Sequence, residues 1–232
     1  MNKQTDSIRR ILVISCQLLA LVTGIHLIGS GDKQRLLLAF ATPLLVLIPE
    51  ITERLFRCRM HTALYIAATL YAIGPMLGHC RNFYYILPGW DKLLHGCGGI
   101  MFYILGLVLI RLMSGEISRL CSFVFALCFS IAVSAVWEFV EYGADCLLGM
   151  DMQADTFIES INSYLLSEKT GVAESLPSIG TVVIDGKVLP SYLDIGLHDT
   201  MQDMLLESGC ALLAGIIHIF DRGRHPLICP NN

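Results

Sequence analysis

Charge is what this 232-residue chain has least of. Only 16% of its residues are Asp, Glu, Lys or Arg, where soluble domains carry about 25%. With 54% hydrophobic residues and a mean hydropathy of +0.63, the shortfall excludes an ordinary soluble globule. No basic tract occurs and the net charge is −4, so nothing suits a nucleic-acid partner. No CxxC pair or metal-knuckle spacing is present, so the nine cysteines suggest neither a zinc module nor a disulfide framework. Cys16, Cys97, Cys121, Cys128 and Cys210 fall inside apolar runs and read as small buried hydrophobes. Cys80 and Cys146, near segment ends on one side, are the pair a disulfide would join. A Gly-rich phosphate loop, a G-x-S-x-G elbow and an H-E-x-x-H pair are all missing. Their absence argues against nucleotide use and against the familiar hydrolase and zinc-protease chemistries. There is no internal repeat.

What the chain does have is apolar length. About 20 apolar residues cross a bilayer core, and six runs qualify, at roughly 11–29, 36–53, 61–79, 92–112, 120–144 and 200–220. The first follows Lys3, Arg9 and Arg10 and lacks an A-x-A-like cleavage site, so it reads as a retained helix. The second carries Pro43 and Pro49 and predicts a kink or a shallow insertion. The expected architecture is an all-α, polytopic membrane helix bundle, one transmembrane domain over 1–232. An extracytoplasmic cap over 146–198 is expected between spans five and six. With the N-terminus inside, inner segments hold ten Lys and Arg residues and outer ones six (Lys33, Arg35, Arg81, Lys92, Lys169 and Lys187). That bias favours cytoplasmic N- and C-termini. In the 146–198 stretch, Thr156-Phe157-Ile158-Glu159 has capping-box spacing, and Phe157, Ile158, Ile161, Tyr164 and Leu165 predict a short amphipathic helix. Asp185-Gly186 between β-branched residues predicts a hairpin.

Three span ends carry charge where lipid would penalise it. They are Asp91-Lys92-Leu93-Leu94-His95, Trp137-Glu138-Phe139-Val140-Glu141 and His198-Asp199-Thr200-Met201-Gln202-Asp203. A charged side chain at mid-membrane costs roughly 2.5–3.5 kcal/mol on insertion scales, so such groups usually face each other, water or an ion. Asp91 and His95 are four apart and share one helix face, as do Asp199 and Asp203. Glu138 lies about 27 Å along a helix that begins near Leu120, close to its exit. Alternating spans put all three ends at one leaflet. Acids and imidazole on facing helices at these spacings are how bundles hold metals. Asp91, His95, Asp199 and Asp203 are therefore candidate ligands of a divalent metal ion, with Glu138 and Glu141 as candidate catalytic carboxylates. Asp91 and Asp199 also suit helix N-caps, and His95 also suits a hydrogen-bonded core position. Glu207 either joins the site or faces water. Gly98-Gly99 and Gly209, Ala211, Ala214 and Gly215 are small enough to bring spans four and six together.

On Trp90 to His95 with Gly98 or Gly99, on Glu138 and Glu141, and on Asp199, Thr200, Asp203 and Gly209, the chain resembles the YjdF-like bacterial inner-membrane proteins. Gly149 to Thr156 resembles a loop motif of that group. The likeness covers about 85–220 and implies a six-span protein. Lys92 stands where many members have Arg, which keeps the charge but loses the bidentate fork. A looser likeness is to VanZ-like proteins, which share an Asp-Lys-x-x-His start, but their arginine-rich later motif is missing here.

Three roles fit these readings. One is a metal-dependent enzyme acting on a lipid or cell-envelope substrate, with membrane lipids as surroundings. Another is a cation-coupled transporter. The third is a structural or accessory protein stabilised by its acidic cluster.

Overall fold

The computed structural model describes residues 3–115, 117–220 and the backbone of 228–230. The side chain of Lys3 and residues Arg222 and Arg224, which entered the count of Lys and Arg, lie outside the described residues. Six helical stretches are long and apolar enough to cross a membrane, as the hydropathy predicts. They are α1 (Lys3–Leu27), α2 with α3 (Lys33–Leu45 and Ile48–Leu55), α4 (Thr62–Cys80), α6 (Trp90–Ser114), α7 (Arg119–Leu148) and α8 (Leu197–Phe220), with the one-turn α5 (Phe83–Ile86) before α6. The predicted kink in the second span is a full break. Pro49 has no N–H to give the carbonyl of Leu45, so α2 stops there and α3 restarts with the proline in its first turn.

The chain divides into two compact units, whose boundaries fall within α7 and α8. In the first, Met1–Ser134 with Leu206–Asn232, α1, α2 and α4 bury Val13, Cys16, Ala20, Val46, Ile73 and Met76 together. A second cluster joins α6, α7 and α8 through Tyr103, Ala126 and Ala211. Close approach there depends on missing side chains. A Cβ on Gly106 would sit 2.8 Å from the Ala126 Cα, and one on Gly215 would sit 2.3 Å from the Phe123 ring. Elsewhere large apolar side chains point outward along every long helix, including Ile11, Ile25, Ile100 and Ile217. In water such a surface would be a severe liability; in lipid it is the solvated face. Cys97, Cys121 and Cys128 also lie on that outward face, contrary to the expectation that they are buried. A thiol is apolar enough for hydrocarbon, so hydropathy alone does not separate core from lipid contact. Cys80 and Cys146 are both free thiols, so the one disulfide the sequence leaves open does not form.

The second unit, Ala135–Leu205, holds the ends of α7 and α8 and short paired strands between them. β2 (Thr156–Ile158) pairs antiparallel with β7 (Tyr192–Asp194), and β3 (Ile161–Ser163) with β4 (Glu174–Leu176). The amphipathic helix expected over 156–165 is therefore absent; only a 3-10 turn at Tyr164–Leu166 is helical. Phe157 and Ile158 find strand partners in Leu193 and Tyr192, 34 residues or more away in sequence, and such pairing overrides a local helical period. The hairpin is as predicted. β5 (Val182–Ile184) and β6 (Lys187–Leu189) flank Asp185 and Gly186, which both have positive φ (48° and 77°), the geometry that suits Asp-Gly.

Candidate functional site

In the first unit α6 brings Asp91 and His95 to α8. The glycine that follows His95 by one turn makes this contact. A Cβ on Gly99 would lie 2.2 Å from the backbone oxygen of Glu207, and one on Gly98 would lie 2.8 Å from Tyr71 Oη and 2.9 Å from Glu207 Oε1. With no side chain there, the helices touch backbone to backbone and the Glu207 carboxylate meets the imidazole. His95 Nδ1 lies 3.3 Å from Glu207 Oε1, and His95 Nε2 lies 3.5 Å from Asp91 Oδ1. His95 and Glu207 are buried, whereas Asp91 keeps a third of its side chain exposed. Lys92 reaches Asp91 Oδ2 at 3.2 Å. The Trp90 indole N–H donates to the Gly74 carbonyl at 3.2 Å and fixes the start of α6 against α4. An imidazole held between two carboxylates from two helices has both nitrogens oriented, an arrangement that can carry a metal ion or a proton.

Glu207 is the member that sequence reading left undecided. The signal for it was present: it stands one turn after Asp203 on the same helix face. Its environment was not legible, because it depends on Gly99 of another helix.

Helix packing in this unit has a definite register. Ser130 Oγ of α7 donates to the Gly99 carbonyl at 3.0 Å, while Gly106 meets Ala126, so α6 and α7 run antiparallel. Gly99 meets Glu207 and Tyr103 lies against Gly215, so α6 and α8 run parallel. One turn beyond Ser130, Ser134 is buried, and its hydroxyl has no hydrogen-bond partner among the described residues.

Within the second unit, Glu138 and Glu141 on α7 are 4% and 8% exposed, and Asp203 on α8 is 1% exposed. These acids face neither lipid nor open water. Asp199 and Asp145 have a different task. Asp145 accepts the backbone N–H groups of Met152 at 2.6 Å and Gln153 at 2.9 Å, and Asp199 Oδ2 accepts that of Ala154 at 3.2 Å. The Gln153 side chain is buried and donates to Thr200 Oγ1 at 2.5 Å. The Gly149–Thr156 motif is thereby tied to the ends of both helices. Gly196, at φ 108°, lies so close to Gln153 that a Cβ would stand 2.6 Å from it. Asp151 in this loop has its pKa pushed up, first by burial and then by Asp155, Asp145 and Asp199.

A family model for predicted membrane proteins matches residues 10–224. The chain belongs to the DUF2238 family. This is the YjdF-like group that the motifs resemble, and the match includes α6, α7, α8 and α1 from Arg10 onward. No curated protein and no solved structure matches the chain. DUF2238 membership makes this an integral membrane protein and leaves its activity to be argued from the site.

Proposed function

We propose that this DUF2238 protein binds a divalent metal ion through His95 Nε2, with Asp91 and Asp203 as carboxylate donors and Glu207 at Nδ1 orienting the ring, and uses it on a lipid or cell-envelope substrate. The observation that carries this reading is the buried His95 imidazole between Asp91 and Glu207. Two carboxylates and an imidazole form a mixed oxygen and nitrogen donor set suited to Zn²⁺, Mn²⁺ or Fe²⁺. Asp91, His95 and Asp203 each offer one ligand atom. Glu138, with Glu141 one turn along α7, would serve as the general base, and a metal ion held at His95 would supply polarisation of water or of an acyl or phosphoryl oxygen. Asp199 completes or supports the set through its tie to Ala154. We place the site at the extracytoplasmic leaflet, with the 146–198 segment on that same side of the membrane and both termini in the cytoplasm.

The test is elemental analysis of full-length protein purified in mild detergent. The proposal expects close to one equivalent of transition metal, lost in His95→Ala and Asp91→Asn, bound more weakly in Glu207→Gln, and retained with loss of turnover in Glu138→Gln. Wild-type protein that takes up no metal after equilibration with Zn²⁺, Mn²⁺ or Fe²⁺ overturns it. The same imidazole between two carboxylates also favours a second reading, a proton relay in a cation-coupled carrier. Metal-free protein that moves cations down a pH gradient in proteoliposomes would establish that one instead.

A further inference from the structure

The opposite end of the first unit has a feature that this site does not use. A cavity of about 340 Å³ lies between the start of α1, the end of α3 and the start of α4. It adjoins Tyr65, nine residues before the Gly74 carbonyl that receives Trp90, so about 14 Å of α4 separates it from the α6 contact. Arg9 is its floor. The Arg9 side chain is 7% exposed and its Nη1 pairs with Glu53 at 3.0 Å. Its Nη2 donates to the Met60 carbonyl at 2.6 Å, and its guanidinium carbon stands 4.5 Å over the Tyr65 ring. Its Nε is buried with no hydrogen-bond partner among the described residues. A guanidinium desolvated this far with one N–H unmet is costly unless a further acceptor arrives.

Charge pairing around the cavity leaves room for that acceptor. Each carboxylate in the lining is matched to one guanidinium: Glu53 to Arg9, Glu50 to Arg54 and Asp6 to Arg59. Arg10 also lines the cavity, is exposed, and has no ion pair among the described residues. The lining therefore holds one cation in excess and one unused buried donor. The rim is apolar. Ile8 and Ile11 flank the arginines on α1, and Ile51 and Leu55 lie outward on α3. Helix α3 thus has a charged face toward the cavity and an apolar one away from it, the pattern of a helix lying at a membrane surface.

We propose that this cavity binds a phosphoryl oxyanion, with the exposed Arg10 guanidinium as its direct donor and the Arg9 guanidinium as the buried charge at its floor. Arginine forks match phosphate oxygens, and the outward apolar face of α3 favours a phosphate that arrives as the headgroup of an anionic phospholipid. A free phosphate monoester has the same recognition chemistry, so the test separates the two sources.

Full-length protein in neutral detergent is titrated with short-chain phosphatidylglycerol, with phosphatidylcholine of the same chain length, and with glycerol phosphate. Binding is read by native mass spectrometry and by the shift in melting temperature. The expected result is one saturable phosphatidylglycerol per chain, weakened about tenfold in Arg10→Gln, whose own melting temperature without lipid is unchanged because Arg10 is exposed. Arg9→Lys keeps the buried charge beside Glu53, and it is expected to weaken binding less than Arg10→Gln does. Glycerol phosphate that competes at equal affinity assigns the site to a soluble ester. Failure of wild-type protein to bind any of the phosphate compounds, or equal binding by wild type and Arg10→Gln, overturns the proposal. Phosphatidylcholine bound as tightly as phosphatidylglycerol overturns it too, since the excess cation would then have no role. The metal analysis of His95 variants reads a separate set of residues, so either proposal can fail alone.

Discussion

Gly99 shows how much one absent methyl group can decide. A Cβ there would overlap the Glu207 backbone at 2.2 Å, whereas one on Gly209, on the same helix as Glu207, would meet nothing within 4 Å. Backbone cannot swing aside as a side-chain tip can, so Gly99→Ala must push α6 and α8 apart. We expect it to destabilise the protein by about 1–3 kcal/mol and to separate His95 from Glu207. Gly209→Ala should instead be neutral or stabilising by up to about 1 kcal/mol through helix propensity. Thermal melting of both variants in one detergent checks the contrast; equal losses would mean that the close approach is not what matters. The sequence offered both glycines as equivalent packing residues, because smallness is visible in a chain and the identity of the neighbour is not. Glu207 teaches the same point. Its spacing from Asp203 was legible, but its burial against His95 was created by a residue more than 100 positions away.

At the scale of elements, the loop after α7 is held by capping carboxylates as much as by strand pairing. Asp145 sits in the last turn of α7 and accepts two N–H groups of the following loop. Asp145→Ala would leave both donors to find water, at a cost of about 1–3 kcal/mol for each that stays buried. The expected outcome is faster proteolytic cutting between Gly149 and Thr156, with the helices themselves retained by circular dichroism. Unchanged cutting would show that Asp199 and Gln153 hold the loop without it. Here local reading succeeded and failed for identifiable reasons. Asp185-Gly186 predicted its hairpin because the turn is a two-residue problem, solved by positive φ. Phe157 to Leu165 looked helical because their spacing was judged without their partners; Leu193 and Tyr192 then supplied a ladder that no short window contains.

For the whole molecule, six crossings would put both ends of the chain on one side of the membrane. Fluorescent-protein fusions, which mature only in the cytoplasm, should glow at either terminus if the Lys and Arg bias sets the orientation. Opposite behaviour at the two ends would remove one of the six crossings, with the broken α2–α3 span the first suspect. Hydropathy located these crossings to within a few residues, because the bilayer sets a length that any apolar run must match.

Composition and periodicity by themselves determined that the chain enters a membrane, how many of its stretches are long and apolar enough to cross one, and which ends carry ionisable groups. These are one-dimensional properties, fixed by the cost of moving each residue from water to hydrocarbon. Which acid meets which base was decided only in three dimensions. The meeting of His95 with Glu207, the tying of Asp145 and Asp199 to a loop, and the gathering of Arg9 with Glu53 and Tyr65 all depend on helix register. That register is set by where backbones can touch, and no stretch of sequence encodes it alone.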